Sequence, residues 1–202
     1  SHVGSSLSCV DILIAQMTFL SSHHRYDTLS AIKNIIVSKG HAAAALYGLI
    51  KQVTKNNEIQ PDKYYQDNSW LTGHVSHKVN GISHSTGSLG HGLSVAAGMG
   101  FQNKQDFYSV LLSDGELQEG SNWEALMVMP NLKINNVSVI IDYNNQQSFC
   151  SVSDTMNIEP LKSKLESFGW AVSDCDGHNI EEIYKLLVKD NDETKPKIII
   201  AN

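Results

Sequence analysis

Short strand-like segments and longer helical segments alternate along most of this 202-residue chain. The strand-like segments are continuous apolar runs, which is typical of strands buried on both faces of a parallel sheet. The first lies in "NIIVSKGH" and ends at Ser38, and the others span 107–112, 137–142, 170–174 and 197–200. The predicted helices span 7–20, 42–53, 89–101, 117–129, 160–168 and 180–189. This alternation predicts an α/β fold, a doubly wound and mainly parallel sheet with helices on both faces.

Length, composition and charge narrow the class of protein further. Residues 1–202 have the length of one large domain, and 41% of them are hydrophobic, which is enough for a sizeable core. We expect a single domain, preceded in the natural chain by a short N-terminal segment. The formal charge is −6 and the pI is about 5.8, so we expect neither a nucleic-acid nor an anionic-membrane partner. No apolar run is expected to span a membrane, and no signal peptide opens the chain.

The cysteines indicate a reducing compartment. Cys9, Cys150 and Cys175 are odd in number, widely spaced and without a CxxC pair. This pattern favours free thiols in a cytoplasmic protein over a disulfide framework or a zinc site.

Polar residues follow four predicted strands, at the points where ligands bind in open α/β sheets. The segments are "SKGH" (38–41), "SDGE" (113–116), "DYNNQ" (142–146) and "DCDGHN" (174–179). In addition, residues 54–85 have no clear period and are rich in Asn, His and Gly, which predicts a long functional loop. We therefore expect the functional site at the carboxyl edge of the sheet.

Asp114 is the first candidate ligand at this edge. Gly115 beside it lets the backbone approach a ligand, and the helix that follows offers amides to an anion. Carboxylate and amide oxygens suit Mg²⁺, which also takes phosphate oxygens, and Asn144 after the next strand is the candidate second donor. Each residue alone also has a structural interpretation, Asp114 as a helix N-cap and Asn144 as a turn residue. Together, Asp-Gly and Asn-Asn at this spacing resemble the thiamine-diphosphate motif.

Six longer stretches resemble the diphosphate-binding domain of transketolase, specifically the N-terminal subunit of the split form. They are "SHVGSSLSCVDIL", "SKGHAAAALYGLI", "GHVSHKVNGISHSTGSLGHGLSVAAGMG", "LLSDGELQEGSNWEALM", "VIIDYNNQQ" and "FGWAVSDCDGHN", in family order from residue 1 to about residue 179. The resemblance implies the thiamine-diphosphate-binding fold, with thiamine diphosphate and Mg²⁺ as cofactors. It also implies transfer of a two-carbon ketol unit from a ketose or its phosphate to an aldose or its phosphate.

The resemblance assigns cofactor ligands residue by residue. Asp114 and Asn144 would bind Mg²⁺ through their side chains, and Gln146 through its backbone carbonyl. Gly87 and Gly115 would donate backbone amides to the diphosphate.

Further positions match the family's reactive centre. Leu89 would place its backbone against the aminopyrimidine ring, and His41 would reach the diphosphate or the reacting centre. His2 and His74 resemble substrate-pocket histidines, which bind sugar hydroxyls and transfer protons. Glu119 resembles the acid that links paired cofactors across a subunit interface.

We expect surface or structural roles for the remaining histidines. His23 and His24 lie in a polar turn and are predicted to be exposed, and His178 is either a cap or a residue of the rim. The HxxH pair of His74 and His77 lacks a third ligand nearby, so a metal site there is not expected. The others in this group are His84 and His91.

The chain departs from the family pattern at four positions without losing a side-chain ligand: Ser1, Ser113, Ser88 and His91. Arg25 is the one arginine, so the arginines that would bind a sugar phosphate are missing from this chain. The family also needs a second domain, whose glutamate contacts the aminopyrimidine. The resemblance therefore implies a separate C-terminal subunit that supplies both, in a heterotetramer with self-association across the cofactor interface. By itself, this chain is expected to be inactive.

Other functions compete with ketol transfer in pentose-phosphate or related carbohydrate metabolism. One alternative is another thiamine-diphosphate enzyme, of the deoxyketose-phosphate synthase or 2-oxo acid decarboxylase type. A second is a subunit that binds cofactor without catalysis. A nicotinamide-dependent dehydrogenase is disfavoured, because "GSLGHG" is not a GxGxxG turn after a first strand.

Overall fold

The computed structural model describes residues 2–55, 57–147, 150–189 and 194–202. In this part of the chain, five strands form one sheet: β1 (Ile35–Val37), β2 (Tyr108–Ser113), β3 (Val137–Asp142), β4 (Ala171–Cys175) and β5 (Lys197–Ala201). Their order is β1-β2-β3-β5-β4, and every neighbouring pair runs parallel. The predicted parallel α/β fold is confirmed.

Helices connect the strands and cover the sheet. In chain order they are α1 (Val3–Leu7), α2 (Val10–Ser22), α3 (Thr28–Lys33), α4 (Ala43–Thr54), α5 (Gly92–Gln102), α6 (Gly120–Asn131), α7 (Val152–Thr155), α8 (Leu161–Ser167) and α9 (Ile180–Val188). Short 3₁₀ turns lie at Gly40–Ala42, Pro61–Lys63 and Gly115–Gln118. The predicted loop at 54–85 begins one residue late, because α4 includes Thr54. Among the described residues from 55 to 85, the second of these turns is the only helix or strand.

Apolar side chains lie on both faces of the sheet. Successive residues of a strand point to opposite faces, so Leu111 packs in the cluster of α2, α4 and α9, whereas Val110 packs in the cluster of α5, α6 and α8. Both residues are fully buried. Burial on both faces explains why the strands are continuous apolar runs rather than alternating ones.

The strand register brings the carboxyl ends of the central strands to one level. Ser113 at the end of β2 is opposite Asp142 at the end of β3, and Asp142 is opposite Ala201 at the end of β5. Segments that follow these strands therefore begin side by side, as predicted for the site.

Several predicted helix bounds are wrong for identifiable reasons. The helix predicted at 7–20 is divided at residues 8–9, and the one predicted at 89–101 begins at Gly92, because Gly90 takes a positive φ of 85°. The helix predicted at 117–129 begins at Gly120, after the 3₁₀ turn, and continues one residue past Pro130. Proline cannot donate to the carbonyl of Leu126, but that carbonyl accepts a 2.8 Å hydrogen bond from Nε1 of Trp170.

The N-terminal helical region does not meet the expectation that every apolar run is too short to span a membrane. Val3–Ser22 is 20 residues long with a mean hydropathy of 1.5, so it is long and apolar enough by these two criteria. Half of it is buried within the domain, and Ile12, Ala15 and Leu20 are fully buried in the core. A core helix of a soluble domain meets the same criteria, and this burial favours that interpretation.

Candidate active site

Asp114 forms a tight polar turn at the end of β2. Its side chain is almost completely buried. Oδ1 accepts a 2.7 Å hydrogen bond from the amide of Gly115, and Oδ2 accepts a 2.5 Å bond from the amide of Asn145. Burial raises the pKa of the Asp114 carboxyl, and these two backbone hydrogen bonds oppose that rise. Among the described residues, no basic side chain forms an ion pair with Asp114, so its charge has no direct partner in that part of the chain.

The turn after β3 brings Asn144 and Gln146 to the same edge. Asn144 is exposed, its Oδ1 accepts a 2.9 Å hydrogen bond from the amide of Gln146, and its Nδ2 donates to Oδ1 of Asp142 at 3.3 Å. Asn145 between them has a positive φ of 54°, which turns the chain sharply. The amide that Asn145 donates to Asp114 ties this turn directly to the one after β2.

These residues fit a hard divalent cation. A buried carboxylate without a cationic partner, an exposed amide side chain and a backbone carbonyl form the oxygen-rich set that Mg²⁺ prefers. Across the described ranges, no three His, Cys, Asp or Glu residues form a metal-binding group. Any cation at this edge would therefore rely on amide and carbonyl oxygens, such as those of Asn144 and Gln146, beside Asp114.

Three predicted histidines lie together at the same carboxyl edge of the sheet, beyond β1. The ring centroids of His2 and His41 are 5.2 Å apart, and those of His2 and His74 are 6.3 Å apart. His74 is held through its backbone carbonyl, which accepts hydrogen bonds from the hydroxyls of Tyr47 at 2.9 Å and Thr72 at 2.7 Å. The structure thus assembles a histidine cluster from three segments far apart in sequence.

His41 is a neutral imidazole at neutral pH. Burial, followed by the positive charge of Lys39, lowers the pKa of His41 to about 4, and His2 and His74 act in the same direction. The carboxylate of Asp142 opposes this shift and also raises the pKa of Asp114. Asp142 is therefore electrostatically coupled to both the histidine cluster and the Asp114 turn.

The "GSLGHG" loop packs against the turn that carries Glu119. A Cβ atom on Gly90 would lie 2.5 Å from Oγ of Ser121 and 2.7 Å from Cβ of Glu119, so only glycine fits there. Oγ of Ser121 also donates a 2.8 Å hydrogen bond to the carbonyl of Gly90. Leu89 is half-buried just before this contact, and Glu119 is exposed at the start of α6.

The remaining predicted positions line this region as follows. Gly87 is exposed, and a Cβ there would lie 4.0 Å from Cδ2 of His74. A Cβ on Gly115 would lie 3.1 Å from the side chain of Gln147, so the residue after Asp114 is approached closely. The loop, the two turns and the histidine cluster thus occupy one edge of the sheet, whereas their roles in binding and catalysis remain predictions.

The other histidines are mostly structural. Nε2 of His84 accepts a 3.1 Å hydrogen bond from the amide of Val37, and burial lowers the pKa of His84 to about 4. His178 pairs with Asp11 at 2.9 Å, which raises the pKa of His178. The prediction that His24 is exposed is wrong: it is half-buried and stacks on Phe107 with ring centroids 4.3 Å apart.

Two buried charged groups at this edge were given no role from the sequence. Glu116 is fully buried, and Oε1 accepts hydrogen bonds from Oγ of Ser38 and, at 2.8 Å, from the amide of Gly90. Burial raises the pKa of Glu116, and these hydrogen bonds oppose the rise. Lys39 is buried against Asp142 with Nζ 2.5 Å from Oδ2. Their positions, two residues from Asp114 and from His41 respectively, were the available signal.

Fold and site together define a thiamine-diphosphate-binding α/β domain. The whole chain, residues 1–202, matches the family described as transketolase, thiamine diphosphate binding domain. The chain therefore belongs to this family, and relatives that match its whole length are named as single subunits of transketolases.

Individual relatives agree with this assignment. The chain is 35% identical to a subunit of the apulose-4-phosphate transketolase of Actinobacillus succinogenes, over 100% of this chain and 75% of that protein. It is 30% identical to a subunit of the 6-deoxy-6-sulfo-D-fructose transketolase of a Clostridium species, over 100% of this chain and 76% of that protein. The crystal structure of transketolase from Campylobacter jejuni superposes with a TM-score of 0.76 at 26% identity, covering 97% of this chain. The chain spans 36% of the length of that transketolase.

Proposed function

We propose that this chain is the N-terminal subunit of a two-chain transketolase that uses thiamine diphosphate and Mg²⁺. It transfers a two-carbon ketol unit from a ketose or ketose phosphate to an aldose or aldose phosphate. The observation that carries the proposal is the meeting of the buried Asp114 turn and the histidine cluster at one edge of the sheet, coupled through Asp142.

The residues of this chain divide into cofactor ligands and proton carriers. Asp114, Asn144 and the carbonyl of Gln146 would hold Mg²⁺, and the amides of Gly87 and Gly115 would bind the diphosphate. When bound, thiamine diphosphate supplies the carbanion stabilisation that cleavage of a C–C bond next to a carbonyl requires.

The histidines act on the sugar. Neutral His41 can accept a proton from a substrate hydroxyl at an imidazole nitrogen, because its pKa of about 4 keeps the ring uncharged. His2, with its ring 5.2 Å from that of His41, would bind and orient the same hydroxyl groups, and so would His74, whose ring is 6.3 Å from that of His2. Positioned acid–base groups of this kind contribute roughly 10²–10⁴-fold in rate.

A second polypeptide completes the enzyme in this proposal. Relatives that match the whole length of this chain are named as individual subunits of a transketolase, which supports a separate C-terminal subunit. That second chain would contact the aminopyrimidine and the sugar phosphate. Self-association across the cofactor interface is supported by exposed apolar side chains on α5 and α6. These are Val95, Met127 and Val128, each more than 40% exposed.

Calorimetric titration of Mg²⁺ and thiamine diphosphate into the full-length subunit tests the proposal. We expect Mg²⁺-dependent binding that Asp114→Ala abolishes and that a C-terminal transketolase subunit tightens. Asp174→Ala is the matched control, because Asp174 also lies near a strand end but is exposed and paired with Lys162. It should leave binding unchanged. No cofactor binding with or without the partner would refute the proposal, and binding without ketol transfer would favour a non-catalytic subunit.

Assays of the two-chain complex separate ketol transfer from the other thiamine-diphosphate reactions. A panel should pair ketose phosphates with aldose acceptors, and 2-oxo acids with and without aldehydes. Transfer of two carbons between sugars without CO₂ release is the expected result. Release of CO₂ from a 2-oxo acid would instead favour a decarboxylase or a deoxyketose-phosphate synthase.

A further inference from the structure

We propose that Glu116 is a positioning residue, whose buried carboxylate holds three cofactor-binding segments in a fixed relation. This inference rests on the proposed function, since the segments are those assigned to thiamine diphosphate and Mg²⁺. The side chain is fully buried, and each of its three hydrogen-bond donors comes from a different one of the three segments: Ser38, Gly90 and Ser113.

Each donor lies within three residues of one with a proposed cofactor role. Ser38 begins "SKGH", which ends at His41. Gly90 immediately follows Leu89, and its amide is 2.8 Å from Oε1 of Glu116. Ser113 precedes Asp114, and its amide is 3.4 Å from Oε2. One carboxylate thus contacts the loop at Gly90, the segment that ends at His41 and the turn that carries Asp114.

A second hydrogen bond extends this link to the start of α5. Oγ of Ser38 donates to Glu116 and accepts a 3.0 Å hydrogen bond from the amide of Gly92. A Cβ on Gly92 would lie 2.5 Å from the side chain of Ser38, so the two segments are in direct contact. The amide of Gly90 binds Glu116 and the amide of Gly92 binds Ser38, which itself donates to Glu116. The position of the turn between the two glycines therefore depends on the Glu116 side chain.

The backbone of Glu116 is fixed independently. Its carbonyl accepts a 2.7 Å hydrogen bond from Nδ2 of Asn122, which is itself fully buried in the first turn of α6. Burying a carboxylate is costly unless hydrogen bonds compensate. Since the donors to this carboxylate all lie on the three segments, they cannot move away without leaving it unsatisfied.

Two substitutions separate positioning from bulk stability. Glu116→Ala removes all three side-chain hydrogen bonds, and we expect it to weaken binding of thiamine diphosphate at saturating Mg²⁺ by about 10- to 100-fold. Glu116→Gln can keep Oε1, the atom that accepts from both Ser38 and Gly90, so it should recover most of the affinity. Recovery by the neutral variant identifies geometry, rather than charge, as the contribution.

Gln16→Ala is the matched control for a buried polar group outside the site. Gln16 is fully buried, and its Nε2 donates a 2.9 Å hydrogen bond to Oγ of Ser109 on β2. This variant should lower the unfolding temperature and leave cofactor affinity unchanged. Glu116→Ala should instead weaken the binding of thiamine diphosphate by more than its loss of stability explains.

Hydrogen exchange in the cofactor-free, full-length subunit gives a readout that does not depend on binding. We expect Glu116→Ala to accelerate exchange at the amides of residues 86–92 and not in β4 or β5. Absence of binding by the wild-type subunit would refute the proposed function, whereas exchange would still test the positioning role. Wild-type affinity and unchanged exchange in Glu116→Ala would overturn the inference. If Glu116→Ala does not fold, Ser38→Ala decides: unchanged affinity and exchange in that variant would also overturn it.

Discussion

Lys39 and Asp142 form a buried ion pair beneath the turn that carries Asn144. Nζ of Lys39 lies 2.5 Å from Oδ2 of Asp142, and their side chains are 2% and 5% exposed. Oγ of Ser8 donates a 2.6 Å hydrogen bond to the same oxygen, and Nδ2 of Asn144 contacts the other oxygen at 3.3 Å. Because Lys39 neutralises Asp142, Asp114 is left as the carboxylate free to bind a cation.

Loss of Lys39 should strongly destabilise the domain. Lys39→Met leaves the charge of Asp142 buried without its partner, which typically costs about 3–5 kcal/mol. Urea unfolding of the wild type and the variant measures the change. The double variant Lys39→Met/Asp142→Asn should recover most of the loss, because it removes the unpaired charge. Lys162→Met, in an exposed ion pair with Asp174, should change stability little. Equal effects of Lys39→Met and Lys162→Met would contradict the prediction.

Stability should fall as the pH is lowered from about 6.5 to 4, in part because of His84. Its folded-state pKa of about 4 lies below its usual value of 6.5, so the unfolded chain binds a proton that the folded chain excludes. The stabilisation is fully present above pH 6.5 and is lost as the pH falls through this window, by at most about 3 kcal/mol. Urea unfolding at several pH values should show a flatter dependence for His84→Gln. His77→Gln, at an exposed position, should match the wild type.

Removal of His41 should impair turnover more than folding. In the two-chain complex, we expect His41→Ala to lower kcat/KM by roughly 10²–10⁴-fold, the usual contribution of a positioned acid–base group. His77→Ala is the control, since His77 lies in the long loop after α4, is exposed and is bonded to Ser85 instead of the cluster. Direct NMR titration should place the pKa of His41 near 4. A midpoint near 6.5 would contradict the inference that burial and the charge of Lys39 lower the pKa of His41.

The turn at Gly90 should not accept a side chain. Gly90→Ala places a Cβ at a φ of 85° and within 2.7 Å of Glu119, so we expect a loss of at least about 1 kcal/mol and weaker cofactor binding. Gly98→Ala in α5 is the control, because a Cβ there meets no atom within 4 Å. It should stabilise the helix by about 0.5–1 kcal/mol. Thermal unfolding together with calorimetry distinguishes the two variants. A Gly90→Ala variant with wild-type stability and wild-type cofactor affinity would refute this account of the turn.

The strands and their positions along the chain could be predicted, because local sequence pattern and burial agree. The predicted strand 137–142 coincides with β3, and the strand predicted at 107–112 is displaced by one residue from β2. A strand covered on both faces must be apolar at every position, so its ends are visible where polar residues begin. The helix starts were predicted less well. The turn at Gly90 and the 3₁₀ turn at Gly115–Gln118, both held by tertiary contacts, place the starts of α5 and α6 later than the sequence pattern does.

The sequence by itself determined the parallel α/β fold. It also predicted a site at the carboxyl edge and, through the family motifs, roles for Asp114, Asn144 and the histidines, and these roles remain predictions. Only the tertiary structure decided which charged groups are buried together. Glu116 resembles an ordinary acid in a first helical turn, and Lys39 an ordinary loop lysine. Their partners, Gly90 for Glu116 and Asp142 for Lys39, are distant in sequence. The burial that makes these contacts strong exists only after the segments have packed together.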